Sequence, residues 1–336
     1  MAAPGKSNSL VDVAGLQVGQ AEDERVGTGV TVILPDERAV CAVDVRGGGP
    51  GTRETDALAS HTLVDAVDAV VLSGGSSYGL AAADGVAASL GASGRGFSLM
   101  DMPGVPRSPV VPSAILYDLA NGGDKAWGET PPYRALGQAA LGAASRQITE
   151  GATGAGHGAR AGQHAGGTGS ASLVSADGFT VGALVSVNSF GSVTLPGHDD
   201  VYWAWPFEID GEFGGGRPPA GWSAPPGDWG AAKINPGARE NTTIACVATD
   251  AVLTPAQAQR LAIMAQDGLA RAIRPVHTPF DGDVVFALAT ARRNLPEASA
   301  DLALAELGSL AADCLARAVA RGVHAARSHT ADKAPD

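Results

Sequence analysis

A pair of threonines stands where the character of the chain changes abruptly. The preceding segment, residues 196–240, holds seven of the 21 prolines and four of the five tryptophans, and we predict it to be irregular. A buried-type strand then begins at Thr242-Thr243. If the chain cleaved itself before Thr242, that residue would carry a nucleophilic hydroxyl and, on its own α-amine, a base with a pKa near neutrality. A plain turn leading into a strand, or a glycosylation-type Asn-Thr-Thr, is the simpler explanation of the same residues taken alone.

A second candidate nucleophile lies in Gly75-Ser76-Ser77-Tyr78-Gly79, between a predicted strand and a predicted helix. This pentapeptide matches the G-x-S-x-G pattern in which the central serine, here Ser77, is the nucleophile of an α/β-hydrolase. That mechanism also needs a later aspartate and histidine in that order, and an oxyanion segment upstream, none of which is recognisable. A helix start, in which the glycines allow close packing and the serines cap amide groups, is the alternative.

Other candidate ligands lack a supporting pattern. His157 and His164 flank a glycine-dense loop and could bind a ligand, or they could simply be solvated. Asp281-Gly282-Asp283 resembles a fragment of a calcium loop, but the rest of such a loop is missing, and a turn is the simpler interpretation. We therefore predict neither a metal nor a cofactor.

Composition excludes several classes of protein. The charge is 23 minus 35, or −12, which argues against nonspecific binding to nucleic acid or to an anionic membrane. No apolar run approaches the roughly 18 residues that span a bilayer, and the polar N-terminus lacks a signal region. The cysteines, Cys41, Cys246 and Cys314, are odd in number and widely spaced, which predicts buried free thiols rather than disulfides. We expect a cytoplasmic protein.

The element pattern predicts a mixed α/β or α+β fold in which helices cover the sheets. Residues 30–34 and 39–45 are β-branched-rich runs around a Pro-Asp-Glu-Arg turn, and this predicts a hairpin. A helical pattern is also expected to end near Ser60. The other predicted strands are residues 69–72, 179–187, 243–248 and 284–288, and the other predicted helices are residues 78–90, 135–145, 254–274 and 299–320.

Several ordered blocks, spread over about residues 10–325, carry a family resemblance. They are residues 44–56 (DVRGGGPGTRETD), 72–86 (LSGGSSYGLAAADGV), 111–119 (VPSAILYDL), 154–156 (GAG), 241–244 (NTTI) and 277–283 (HTPFDGD). Together they resemble the N-terminal-nucleophile peptidases typified by the L-aminopeptidase/D-esterase DmpA, a family that includes nylon-oligomer endo-hydrolase. The resemblance implies one self-processed domain over residues 1–336. It also implies a four-layer αββα sandwich, a fold related to that of ornithine acetyltransferase. By position, the chain would be cut between Asn241 and Thr242 into chains 1–241 and 242–336.

The resemblance also implies roles for individual residues. Thr242 matches the nucleophile, Asn188 an asparagine that helps to hold the oxyanion, and Tyr117 an active-site tyrosine. Asp281 and Asp283 match an acidic pair that orients and activates the threonine.

The glycine loop departs from the family pattern, because Gln163 occupies the position of a lysine near the nucleophile. Arg160 or another cation would have to supply that charge. In this context Ser77 becomes a helix-start residue near the pocket.

These observations predict an amide hydrolase that processes itself and acts on small peptides, amino-acid amides or nylon-like oligomers. Acyl transfer to ornithine and a noncatalytic small-molecule-binding role are the alternatives that remain, beside the Ser77 hydrolase. The family implies a homo-oligomer, a tetramer of processed heterodimers.

Overall fold

Two five-stranded sheets form the centre of the molecule. The computed structural model describes residues 1–98, 100, 102–233 and 241–331. Sheet I has the strand order β1-β2-β5-β6-β4, sheet II has the order β3-β14-β13-β10-β9, and two short ribbons pair β7 with β8 and β11 with β12. The strands are β1 (Leu16–Asp23), β2 (Thr28–Pro35), β3 (Val40–Val45), β4 (Thr52–Arg53), β5 (Val70–Ser73), β6 (Ser113–Ile115), β7 (Arg160–Ala161), β8 (His164–Ala165), β9 (Gly167–Val174), β10 (Thr180–Asn188), β11 (Thr194–Leu195), β12 (His198–Tyr202), β13 (Thr242–Ala251) and β14 (Val284–Arg293).

Two helices cover the outer face of each sheet. Helices α1 (Ala81–Ala92) and α2 (Tyr133–Gly142) pack on sheet I, and α3 (Pro255–Ala272) and α4 (Ala300–Ala331) pack on sheet II. A third apolar core lies between the sheets and includes Val18, Leu72, Leu184, Cys246 and Phe286. The layer order is therefore helix, sheet, sheet, helix, and the predicted αββα sandwich is confirmed.

Local signals explain where the helices of sheet II begin. The Thr254 hydroxyl accepts a hydrogen bond from the Gln257 amide, and proline occupies the first helical position of α3, as predicted. Helix α4 runs eleven residues beyond the predicted end at Ala320. In the described part of the chain, neither α4 nor any other helix has the length and apolar character to cross a membrane. The three cysteines are buried free thiols, as predicted.

The predicted hairpin is wrong. Both runs are strands, but β2 pairs with β1 and β5 in sheet I, whereas β3 pairs with β14 in sheet II. Each strand lies between apolar layers, and a continuous apolar run does not reveal which strand lies beside it. The helical pattern expected before Ser60 is only a short 3-10 turn, Asp56–Leu58.

Eight of the 14 described strands were not predicted, including β1 and β9, and β9 begins inside the glycine-dense loop. Strand β9 begins at Gly167, and its glycines let α4 approach the sheet closely, since a Cβ at Gly169 would lie 2.1 Å from the Ala318 carbonyl oxygen. Segment 196–240 is largely irregular as far as it is described, apart from β12 and a 3-10 turn. Its residues 234–240 lie outside the described residues.

A buried arginine connects α4 to segments that precede the predicted cut. Arg317 is 1% exposed, and its Nε lies 2.6 Å from Glu212 Oε1, while another guanidinium nitrogen donates to Asn8 Oδ1 at 2.9 Å. Arg321 bonds both Glu212 and Glu150. The two predicted chains therefore share a partly buried ionic network as well as an apolar core.

Candidate active site

Five of the predicted site residues meet at one edge of sheet II, namely Asn188, Asn241, Thr242, Asp281 and Asp283. Thr242 is the first residue of β13 and pairs in register with Asn188, the last residue of the antiparallel neighbour β10. On the other side, β14 runs parallel to β13, so the turn before β14 also lies at this edge, and Asn241 pairs with Asp281. Asn241 and Thr242 are 0% and 2% exposed, so the predicted cut lies at a buried peptide bond.

The Thr242 hydroxyl lies beside the carbonyl group that it would attack. Its Oγ1 is 2.5 Å from the Asn241 carbonyl oxygen, and the Gly282 amide donates to that same oxygen at 2.9 Å. A Cβ at Gly282 would lie 2.7 Å from Thr242 Oγ1 and 2.7 Å from the Gly49 carbonyl oxygen. The turn thus needs glycine for space, and it supplies a backbone donor that the sequence did not reveal.

The two aspartates hold the backbone around Thr242. Asp283 Oδ1 accepts the Thr243 amide at 2.8 Å, and Asp281 Oδ1 accepts the Phe190 amide at 3.1 Å. Asp281 Oδ2 accepts both the amide and the hydroxyl of Thr278. Burial and the nearby Asp283 charge raise the pKa of Asp281 above its ordinary value.

A histidine that sequence reasoning left without a role completes this cluster. His277 Nδ1 lies 2.8 Å from Asp283 Oδ2, which also accepts the His277 amide. Its Nε2 is buried and has no hydrogen-bond partner among the described residues. The histidine has a positive φ of 55°, so this turn places its ring and its amide on one carboxylate oxygen.

Asn188 links the nucleophile strand to two other segments of the site. Its Nδ2 donates to the Tyr117 carbonyl oxygen at 3.0 Å, and its Oδ1 accepts the Arg160 amide at 2.9 Å. Tyr117 therefore meets this cluster through its backbone. The Arg160 side chain is exposed and donates to the Gln163 carbonyl oxygen, so it holds the turn between β7 and β8.

Among the described residues, Lys233 brings a cation close to the predicted cut, and the sequence analysis missed it. Its Nζ lies 2.7 Å from Asn241 Oδ1 and 3.4 Å from Asn188 Oδ1. Gln163 lies beside it and holds the adjoining backbone, because its amide donates to Ala231 O and its Nε2 to Ala232 O. The available signal was that Lys233 is the one lysine in the sequence of segment 196–240, nine residues before Thr242.

The second candidate nucleophile lies at a helix start. Ser77 is exposed in a 3-10 turn (Ser76–Leu80) that leads into α1. The turn is held by Asp118, whose buried carboxylate accepts the Gly75 amide, and burial raises the pKa of this carboxyl. Within the described residues, no hydrogen bond joins Ser77 to a histidine or a carboxylate, so the arrangement that an α/β-hydrolase requires is not assembled there.

No metal-binding arrangement accompanies these side chains. Over the residues that the structure describes, no group of three or more His, Cys, Asp or Glu side chains is placed to hold a metal ion. His157 and His164 instead bond a carbonyl and a threonine hydroxyl, respectively.

Comparison with known proteins gives the family. Residues 8–334, nearly the whole chain, match peptidase family S58. The chain belongs to that family. An uncharacterised aminopeptidase of Mycobacterium tuberculosis is 45% identical over 332 residues, covering 94% of this chain and 93% of the relative. A 6-aminohexanoate-oligomer endohydrolase of Kocuria is 29% identical over 309 residues, covering 87% of this chain and 78% of the relative.

Solved structures agree on the fold. A Burkholderia β-aminopeptidase superposes with a TM-score of 0.68 at 24% identity, covering 96% of this chain and 88% of that one. The L-aminopeptidase D-Ala-esterase/amidase of Ochrobactrum anthropi, described as a variant of the Ntn hydrolase fold, gives 0.65 at 22% identity, covering 95% and 86%. The predicted family resemblance and the prediction of an enzyme that hydrolyses amide or peptide bonds are confirmed.

Proposed function

We propose that this S58 member cleaves itself between Asn241 and Thr242 and then hydrolyses amides with the new N-terminal threonine. One observation carries the proposal: the Thr242 hydroxyl oxygen lies 2.5 Å from the carbonyl oxygen of the preceding residue, in a buried site. The products would be chains 1–241 and 242–336, folded as one domain.

Self-cleavage would proceed by transfer of an acyl group within the chain. Thr242 Oγ1 attacks the Asn241 carbonyl carbon, the C–N bond breaks, and the hydroxyl proton ends on the released amine. Water then hydrolyses the resulting ester. Negative charge develops on the Asn241 oxygen, where the Gly282 amide already donates, and one such donor is worth about 3–4 kcal/mol in a transition state.

Turnover would use the same oxygen with a different base. The new Thr242 α-amine accepts the hydroxyl proton and returns it to the leaving amine of the substrate, and water then hydrolyses the acyl ester on Oγ1 and frees the threonine. Asp283 fixes the next residue through the Thr243 amide, and Asp281 fixes the Phe190 segment, so both act as positioning groups. The role of Asn188 as a donor to the substrate oxyanion, and that of the Tyr117 hydroxyl as a second donor, are carried over from the family.

The relatives indicate the range of substrates. One is named an aminopeptidase and others are named 6-aminohexanoate-oligomer endohydrolases. We infer that small peptides, amino-acid amides or nylon-like oligomers are the substrates. Acyl transfer to ornithine and noncatalytic binding are the outcomes that would replace this proposal, and a tetramer of processed heterodimers in the cytoplasm remains a prediction.

Intact mass and N-terminal sequencing of the purified protein test the proposal. We expect two fragments, and the smaller one should begin Thr-Thr-Ile. Thr242→Ala should leave a single uncleaved chain without amidase activity, because the attacking oxygen is gone. Ser77→Ala is the matched control, since it removes an exposed hydroxyl from the rival motif, and it should be processed and active. An active Thr242→Ala variant, or an inactive but processed Ser77→Ala variant, would reverse the assignment of the nucleophile.

A further inference from the structure

The side chain of the residue before the cut occupies a closed, charged environment. Asn241 is 0% exposed, and its Oδ1 accepts from the Lys233 ammonium at 2.7 Å, a charge-assisted hydrogen bond. We propose that Lys233 forms a subsite for an oxygen acceptor on the side chain of the acyl group, so that the enzyme prefers substrates whose acyl residue is asparagine or aspartate. This inference rests on the proposed function.

The covalent chemistry connects the precursor to the substrate. In self-cleavage, the Asn241 acyl group passes from nitrogen to Thr242 Oγ1. In turnover, the bond between Oγ1 and the substrate carbonyl carbon forms, the amide C–N bond breaks, and the amine leaves with the proton. Both reactions give an ester on the same oxygen. An acyl side chain in the second ester therefore faces the groups that surround the Asn241 side chain in the first.

Lys233 is held in place by contacts that do not depend on the bond that is cut. Its amide donates to the Phe190 carbonyl oxygen at 2.9 Å, and the Phe190 ring packs edge-on against Trp229 at 5.7 Å. Gln163 fixes the two preceding residues with bonds of 2.8 Å and 3.1 Å. In the uncleaved chain the Lys233 Nζ lies 3.4 Å from Asn188 Oδ1. Because these backbone contacts do not involve the Asn241–Thr242 bond, we expect the ammonium to remain beside Asn188 after cleavage.

These contacts explain what Gln163 does at the position where the family pattern has a lysine. Gln163 does not carry the charge that the family pattern places there, but it bonds the backbone carbonyl oxygens of the residues next to Lys233. The cation enters the site from segment 196–240 instead. An ammonium is a compact point charge with three hydrogen-bond donors. It can therefore donate to a side-chain amide oxygen or a carboxylate, but it forms no hydrogen bond with an apolar side chain.

Substrate preference of the processed protein tests the subsite. The probes are p-nitroanilides of asparagine, aspartate and leucine, each with a free and with an acetylated α-amine. We expect kcat/KM for the asparagine or aspartate compounds to exceed that for leucine by about tenfold to a hundredfold, the range of a hydrogen bond to a charged group. Lys233→Met should bring this ratio close to one, Lys233→Arg should retain part of it, and the exposed control Lys6→Met should leave it at the wild-type value.

Each outcome decides between the two proposals. A wild-type protein that is cut at Thr242 and hydrolyses amides without preferring asparagine or aspartate refutes the subsite alone. Equal ratios in wild type and Lys233→Met refute it as well. If Lys233→Met is not processed, the wild-type ratio still decides, together with inhibition by free asparagine relative to free leucine. A chain that is never cut, or that hydrolyses no amide, refutes the proposed function itself.

Discussion

Replacement of Gly282 by alanine tests whether the turn before β14 is part of the chemistry. The added Cβ would lie 2.7 Å from Thr242 Oγ1 and 2.7 Å from the Gly49 carbonyl oxygen, well inside ordinary contact distance. Either the Thr242 hydroxyl or the turn must move. If the turn moves, the Gly282 amide moves with it and its hydrogen bond to the Asn241 carbonyl oxygen is lost. Loss of one donor to a developing oxyanion costs about 3–4 kcal/mol, so self-cleavage should slow by roughly a hundredfold to a thousandfold.

The assay is a time course of the fragments on a denaturing gel, with chain synthesis stopped at time zero. Overpacking alone costs about 1–3 kcal/mol of stability, so far-UV circular dichroism and the unfolding midpoint must show that the variant is folded. Gly142→Ala is the matched control, because it has open space around its Cβ and an ordinary helical position. A folded Gly282→Ala protein that cleaves at the rate of Gly142→Ala would refute the assignment of this turn.

Two further predictions concern the supporting groups. Gln163→Ala removes the hydrogen bond to Ala232 O beside Lys233 and should slow self-cleavage about threefold to tenfold. Arg160→Gln changes an exposed side chain and should alter the rate less than twofold in the same gel assay. The opposite order of effects would make Arg160 the functional cation. Arg317→Ala removes the buried guanidinium from Glu212 and leaves this carboxylate paired with Arg321 alone, which should cost about 1.5–3 kcal/mol in urea unfolding. Burial raises the pKa of Glu212, but the hydrogen bond and charge of Arg317, together with the Asn8 hydrogen bond and the Arg321 charge, outweigh burial and leave this pKa lowered. The stabilisation by this pair is therefore present above the unfolded-state pKa of Glu212 and lost as pH falls through the folded-state pKa. The difference in unfolding free energy between the wild type and Arg317→Ala should therefore shrink in acid. A difference that does not change with pH would contradict the pairing.

The sequence predicted the four described helices and six of the 14 described strands, but not how the strands pair. Strand β13 and helix α3 follow from an apolar run and from the Thr254-Pro255 start, both of which are local signals. No local signal shows that β2 and β3 belong to different sheets. Both are apolar runs, and the turn between them suits a hairpin as well as a crossover between the two sheets. The strand at Gly167 was hidden because its glycines serve the close approach of α4 rather than strand propensity.

The site also has a part that the sequence could predict and a part that it could not. Antiparallel β10 and parallel β14 on either side of β13 bring Asn188, Asp281 and Thr242 to one edge, so residues placed correctly on their strands meet without further information. Lys233 belongs to no regular element, and no period of the sequence indicates which way an irregular segment returns to the sheet. Its position depends on the Phe190 carbonyl oxygen, which accepts the Lys233 amide, and on Gln163, which donates to the two residues before Lys233; both lie far from it in the chain. In this chain the charge beside the predicted cut therefore comes from an irregular segment, and a side chain of the glycine loop holds the backbone of that segment.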